Sequence, residues 1–558
     1  MSNEVAEKLK QNLKSQVFLD IDQLEGKKTI VWQNDVLRKI DLLIGATEFS
    51  EHHVSRHILM PSNFDKGSVL NVEGTNNVVF VVAPTKQVFT VLKGILLVKK
   101  TGVSYHVRVV TKPSTQLTDI IMGDSNAERK IKTFKLWPFF WAPSFGDFVL
   151  NTFSIDPIKL FLQDDFDLIR LCSGGFGELG KIPVVRYKGR WAEKIVKSIK
   201  NDTGKTGVLF DELIVVDREV DPLTPFLSQY SFSGIMDDMF GIDVKNNIKV
   251  PKEVLERKEF VTNATNKDGV EIKLGNDAYK DVIHLSLKDA VAKIRSVFKE
   301  LSVIENTHSQ LNSVNDFKNY MPALQQLSQK KEKVAEILHL LTIAYCRNAQ
   351  FSQKTLYEFE RSVLHGEVSA STVSPVIEMM LVKGGDSEDG LKTMMLVVIQ
   401  SLVNSGLQPR VWNEYQRMAV QSYGIEAIKW CLNLETVGLV SDVNDKTSKY
   451  NWIPNELKKL RVLADPEQDK KADFYSGYVP LLVRVLEKGI RDNWKSFDCI
   501  DPDEFSSVST LSRRTALFVI GGLTRAELAC LKSLDFRAVY ITNILQSNDL
   551  IQLCKYKE

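Results

Sequence analysis

The stretch LIVVDREVDPLTPFLSQYSFSGIMDDMFGI, residues 213–242, changes character twice along its length. It opens with an apolar, β-branched run that reads as a buried strand and closes on a pattern that reads as an amphipathic helix. Asp217 falls at the strand's C-terminal end, where open α/β sheets place functional groups. Asp221-Pro222 is helix-start chemistry, with the carboxylate able to cap and proline tolerated at the first position; Thr224-Pro225 repeats the device. Asp217 and Asp221, four residues apart, can be read as an acid/base pair or a metal site. The competing reading is structural, with Arg218 as an ion-pair partner in a tight turn. No nucleophile, histidine or phosphate loop lies nearby, so the structural reading is preferred.

Outward from this stretch the same alternation recurs. NVVFVVAP (77–84) reads as a buried strand, TKQVFTVLKGIL after it as a helix, and YHVRVVTKP (105–113) as the next strand. Strand, helix, strand at this spacing points to a parallel sheet. Near the other end ALFVIGG (516–522), AELACLKSL (526–534) and RAVYITN (537–543) read as strand, helix, strand. From about 278 to 435 the patterns are almost entirely helical. Leu287, Val291, Ile294, Phe298 and Leu301 form one stripe with steps of three and four. Leu324, Leu327, Lys331, Val334, Leu338, Leu341 and Tyr345 form another. The polar NTHSQLNSVND (306–316) separates them, so the two arms predict an antiparallel helical hairpin. Lys331 within the seam implies that the second stripe is not wholly buried. GGDSEDG (384–390) predicts an exposed loop. At the start, Val5, Leu9, Leu13 and Val17 recur every four residues and predict an amphipathic helix. α/β segments flanking a helical middle imply a helical domain inserted into an α/β domain.

Bulk properties narrow the function. At 558 residues there is room for roughly three to four domains. The net charge of +2 lacks the basic excess of a dedicated nucleic-acid binder, so no nucleic-acid partner is expected. The six cysteines form no CxxC and no zinc-spaced cluster with histidine, which predicts buried thiols in a reducing compartment and no metal site. The N-terminal stretch lacks the apolar core of a signal peptide, and no apolar run approaches the roughly 20 residues that span a bilayer. A cytoplasmic protein with peripheral membrane association through partners is the expectation. GGFGELG supplies a GxGxxG through Gly175, Gly177 and Gly180, yet IPVVRYKG after it reads as strand where a dinucleotide site needs a helix. DTGKTG (202–207) lacks the first glycine of a phosphate loop. His53 and His57 are spaced to share a helix face, without the glutamate of HExxH. No GxSxG elbow is present. No catalytic residue or cofactor is predicted.

Three blocks carry a resemblance to a known family. DREVDPLTPFLSQYSFSGIMDDMFGI is similar to the signature of the SM family, the syntaxin-binding SNARE chaperones of membrane fusion. YSGYVPLLVRVLE (475–487) and FVIGGLTRAELACLKSL (518–534) resemble two further blocks of that family, in the same order. Residues 405–440 resemble the late helical domain of its vacuolar branch, and DQLEGKKTIVW (22–32) the start of that branch, its animal B form in particular. Residues 130–200 resemble the family only weakly. The resemblance implies an α/β plus α fold, a three-domain arch of two parallel-sheet α/β domains with a mainly helical domain inserted into the second. The implied bounds are 1–138 for the first domain, 139–228 with 473–558 for the second, and 229–472 for the third, with a hairpin at about 286–350. It implies no enzyme activity. It implies binding and templating of SNARE helices, syntaxin-type and R-type, at late endosomes and lysosomes, as a subunit of a tethering complex. By the same resemblance the template lies on the hairpin, with Pro322 at the start of its second arm and Leu338 as an outward apolar residue. A helical-solenoid vacuolar protein sorting subunit is the implied second partner, through Ile425 and Ile428; core burial at helical spacing is the competing reading for both. Asp217, Arg218, Asp221, Thr224 and Pro225 are the signature residues. Two rivals stay open: a nucleotide-binding α/β enzyme using GGFGELG and Asp217, and a structural tether subunit without templating.

Overall fold

A computed structural model describes residues 2–63, 72, 74–98, 102–110, 113–137, 141–144, 149–152, 182–199, 210–243, 245–257, 269–275, 277–308, 314–349, 351–366, 370–383, 387–500, 514–534, 538–546 and 550. Two compact units emerge. The first comprises Met1–Arg218, Phe497–Gly521 and Arg537–Asn543; the second comprises Glu219–Ser496, Gly522–Phe536 and Ile544–Glu558.

The first unit contains two sheets. One has five parallel strands, β1 (Lys28–Trp32), β2 (Val54–Leu59), β3 (Asn77–Val82), β4 (Ser104–Val109) and β5 (Ile131–Leu136), in the order β2-β1-β3-β4-β5. A parallel sheet needs cover on both faces, and successive side chains of a strand point to opposite faces. The packing follows that rule. Ile30, Trp32, Val79 and Val81 pack with Leu13, Val17 and Ile21 of helix α1 (Ser2–Asp22). Val31, Val78, Phe80 and Val82 pack with Phe89, Leu92 and Leu96 of helix α2 (Lys86–Leu97). Thus the four-residue stripe of the N-terminal helix is buried from Leu13 onward; the side chains of Val5 and Leu9 lie outside the described residues. Asp20 of α1 accepts from Lys135 Nζ at 2.7 Å and Trp137 Nε1 at 2.9 Å, and pairs with the fully buried Arg108.

The second sheet has seven strands: β6 (Trp141–Ser144), β7 (Val149–Thr152), β8 (Val184–Lys188), β9 (Glu212–Asp217), β12 (Asp498–Ile500), β13 (Thr515–Leu523) and β14 (Ala538–Ile544). Their order is β12-β8-β9-β13-β14-β7-β6. Both outermost pairs are antiparallel, while β8·β9, β9·β13 and β14·β7 are parallel. Val215, Phe518 and Ile541 share a core with Trp191, Ile195 and Val196 of helix α3 (Arg190–Ile199). Strand β13 lies directly beside β9, Thr515 against Glu212, although residues 218–514 separate them in sequence. The chain leaves this sheet after β9 and returns to it near its end, as the flanking α/β pattern predicts.

The second unit is mainly helical. After helix α4 (Phe232–Phe240) comes a two-stranded antiparallel ladder, β10 (Asn247–Pro251) with β11 (Gly269–Lys273). Helices α5 (Leu287–His308) and α6 (Val314–Ala349) pack together as the expected hairpin. Then follow α7 (Phe351–His365), α8 (Ala370–Lys383), α9 (Ser387–Val403), α10 (Pro409–Tyr423), α11 (Glu426–Thr436), α12 (Leu481–Arg491) and α13 (Arg525–Lys532).

Three expectations change. Residues 387–390 of GGDSEDG form the first turn of α9 instead of a loop. Asp221-Pro222 and Thr224-Pro225 start no α-helix. They shape two 3-10 turns, Arg218–Val220 and Thr224–Phe226, and the α-helix begins only after Ser231, whose hydroxyl accepts from the Gly234 amide. His53 and His57 share no helix. His53 adopts φ 61° in a turn, and His57 lies in β2, where its Nδ1 accepts from Trp32 Nε1 at 2.9 Å.

Candidate functional site

In the first unit, the Asp217 carboxylate ends β9 and is fully buried. It accepts from the backbone amides of Trp191 (2.8 Å) and Ala192 (3.2 Å) in the first turn of α3. Those amides have no partner within the helix, so the carboxylate fills the role of a cap from a neighbouring strand. Gly189, at φ 110°, leaves the space: a Cβ there would sit 2.2 Å from Asp217 Oδ2. Arg218, also buried, begins the 3-10 turn that follows.

In the second unit, Asp221 is likewise fully buried. Its Oδ1 accepts from the Thr224 amide at 3.0 Å; its Oδ2 accepts from the Thr224 hydroxyl at 2.5 Å and the Leu482 amide at 2.9 Å. Since the Thr224 proton is committed to Asp221, the Tyr478 hydroxyl donates to Thr224 Oγ1 (3.1 Å) and accepts from the Leu481 amide (3.2 Å). Burial raises the Tyr478 pKa far above its usual value, which keeps that proton in place. Thr224 and Pro225 are buried in the turn beside this network. Tyr475 Oη lies 2.5 Å from Thr524 Oγ1, and Thr524 forms a capping box with Glu527 at the start of α13. Gln229 Oε1 accepts from the Ala526 amide at 2.9 Å, and Arg525 pairs with Asp237 at 3.4 Å.

The three sequence blocks of the resemblance therefore meet, through their residues in this unit, in one buried polar junction. Its carboxylates meet backbone amides, hydroxyls and the Arg525 guanidinium, an arrangement that fixes structure. Removing the Asp221 carboxylate alone would strand buried donors at a cost of about 3 kcal/mol.

A second contact extends from the same loop. Glu360 of α7 is buried and accepts from the Ser228 amide (3.0 Å) and hydroxyl (2.8 Å). Burial pushes its pKa up to about 7, against the pull of the two Ser228 donors.

The hairpin carries the unit's open apolar surface. Val334, Ile337, Leu340, Leu341, Ile343 and Ala344 of α6 are buried, with Ala290, Ile294 and Leu301 of α5. The row Lys331, Leu338, Tyr345, spaced by seven, turns outward: Leu338 is 38% exposed and Tyr345 67%. Both line a groove of about 1430 Å³ with Val291 and Arg295 of α5, Arg361 of α7 and residues 463–466. The second arm, α6, already begins at Val314, so Pro322 lies within its helical backbone and not at its start; its side chain is outside the described residues.

A second apolar face lies on α11. Ile425 precedes its first turn, and Ile425, Ile428 and Leu432 follow helical spacing at exposures of 76%, 42% and 53%. The inward face holds Ala427, Trp430, Cys431 and Leu434. Ile425 and Ile428 are surface residues, against the competing reading of core burial. Leu432 extends their row, and the continued spacing past Ile428 was the available sequence signal for it.

GGFGELG and DTGKTG fall outside the described residues. Among the described residues no group of three or more His, Cys, Asp or Glu side chains is arranged to hold a metal ion, and no helix is long and apolar enough to cross a membrane.

Comparison with known proteins agrees with this architecture. The Sec1 family pattern matches residues 28–552. Vacuolar protein sorting-associated protein 33A of Caenorhabditis elegans is 25% identical over 592 aligned positions, covering 96% of this chain and 93% of the relative. The Rattus norvegicus protein of the same name is also 25% identical, covering 92% and 90%. Among solved structures, Unc18 in the Unc18–syntaxin 1 complex from Monosiga brevicollis superposes with a TM-score of 0.60 at 15% identity, covering 98% of both chains. The SM protein Vps45 in complex with the Qa SNARE Tlg2 gives 0.61 at 13% identity, covering 99% of this chain and 97% of that one. With two largely parallel sheets, a helical insertion between β9 and β13, and a family match running almost from end to end, the chain belongs to the Sec1 family.

Proposed function

We propose that this protein binds SNARE helices along the α5–α6 hairpin and templates their assembly for membrane fusion on the endosomal–vacuolar route, as a non-enzymatic subunit of a tethering complex. The observation that carries the reading is the outward row of α6. Leu338 and Tyr345 stand seven residues apart, the repeat of a SNARE heptad, beside a groove of about 1430 Å³ that both line. A SNARE motif alone has little structure, and ordering it costs conformational entropy. A pre-formed groove that holds one helix in register lowers the cost of adding the next. The reading is supported by likeness to relatives whose names place them in vacuolar protein sorting, and to SM proteins solved with a syntaxin and with a Qa SNARE.

A second contact is proposed at the exposed Ile425–Ile428–Leu432 face. Its three apolar side chains suit a helical-solenoid vacuolar protein sorting subunit, through which the protein would reach the membrane. A structural tether subunit would use this face alone.

Leu338→Arg separates the two. The templating reading expects a roughly tenfold or greater loss of affinity for syntaxin-type and R-type SNARE motifs, slower fusion in a reconstituted liposome assay, and an unchanged melting temperature, because the side chain is exposed. Unchanged binding and fusion would leave only the structural-subunit role.

A further inference from the structure

The groove beside Leu338 carries fixed charge as well as apolar surface. Lys288, Arg295, Arg361, Asp465 and Asp473 all line it. The two carboxylates are engaged: Lys288 acts on Asp473 electrostatically, and Asp465 Oδ1 accepts from the Glu467 amide at 3.0 Å. Arg295 on α5 and Arg361 on α7 are both exposed, and neither enters an ion pair among the described residues. The charged side chains lining the groove are three positive and two negative, so its net charge is positive by one. A guanidinium stays charged at any working pH and presents a planar fork that suits a carboxylate.

Resting on the SNARE-binding reading above, we propose that the groove selects for a helix whose apolar seam is flanked by carboxylates, with Arg295 and Arg361 as the residues that set this preference. The apolar row supplies contact that any heptad helix offers, so it discriminates weakly. Two arginines beside it attract an acidic flank and repel a basic one, and like-charge juxtaposition is the stronger filter. The occupant is thereby specified: an amphipathic SNARE helix with Asp or Glu beside the seam on the side that meets α5 and α7.

The test uses the full chain and a labelled syntaxin-type SNARE motif in two forms, the native acidic flank and one with its flanking Asp and Glu changed to Asn and Gln, with Kd measured at low and high salt. The acidic form should bind roughly three- to twentyfold more tightly, and the preference should fade with salt. Arg295→Gln with Arg361→Gln should abolish the preference. Arg295→Glu with Arg361→Glu should prefer a motif whose flank is lysine, a rescue that general destabilisation cannot mimic. If Leu338→Arg eliminates binding while the arginine variants keep the full acidic preference, this proposal fails and the SNARE-binding reading stands. If neither Leu338→Arg nor the arginine variants alter binding of either form, both fail.

Discussion

At the scale of single residues, Asp217, Asp221 and Glu360 show how buried carboxylates hold this chain together. Each is met by backbone or hydroxyl donors. Sequence reading preferred a structural role for Asp217 and Asp221, from the lack of any nucleophile nearby, and the structure buries both carboxylates against backbone and hydroxyl donors. Sequence reading could not give their partners, because Tyr478 lies 254 residues from Thr224 in sequence. Glu360 was invisible for the same reason: nothing local marks a glutamate in an amphipathic helix as one that meets Ser228. Its titration has a predictable sign. Its folded pKa of about 7 exceeds the ordinary value of 4.5, so between those values the folded chain keeps a proton that the unfolded chain has lost. Stability from this group is therefore full below about pH 4.5 and declines as pH rises through 7. The Asp238 carboxylate adds to the upward shift, and the Ser228 donors oppose it. Denaturant titrations of wild type and Glu360→Gln at pH 5 and pH 8 should differ. The wild type should lose about 1–3 kcal/mol more across that interval. Equal losses would show that Glu360 is ionised throughout.

At the scale of elements, spacing located helices well and exposure poorly. The three-and-four steps of 287–301 and 324–345 were sufficient for both hairpin arms. A heptad stripe states which residues share a face, however, and not whether anything covers that face. Lys331 was the one cue that the row through Leu338 and Tyr345 looks outward. The β10–β11 ladder went unread, since NIKVP and GVEIK are only five residues long and polar residues interrupt their apolar ones. GGDSEDG misled because glycine and acidic residues mark loops and helix starts alike. Helix α11 offers a clean test of element function. Changing both Ile425 and Ile428 to Asp removes apolar surface already in water, so the melting temperature should stay within a few degrees. Co-purification with the solenoid subunit should be lost, while SNARE-motif binding persists. A double variant that still co-elutes with that subunit would move the contact elsewhere.

At the scale of the whole molecule, the decisive fact is the split sheet. The α/β character of both ends and the helical middle made an insertion legible from sequence. Strand order was not legible, because periodicity carries no information about which strands become neighbours. Without β12, β13 and β14, strand β9 has an open apolar edge where Leu213, Val215 and Val216 would be paired and covered. A fragment ending at residue 218 should precipitate, and co-expression with residues 497–558 should restore soluble material that co-elutes on size exclusion. A soluble, monomeric fragment on its own would show that the sheet tolerates the missing strands. The same arrangement sets a clock on biosynthesis. At about 5–20 residues per second, the ribosome needs roughly 15–60 seconds to pass from β9 to β13. During that interval the nascent chain carries an unfinished edge, and only near-complete translation can close it. A transcript cut short anywhere in the helical insertion thus yields a product marked for chaperones and proteases by its own exposed strand, before any partner has the chance to engage it.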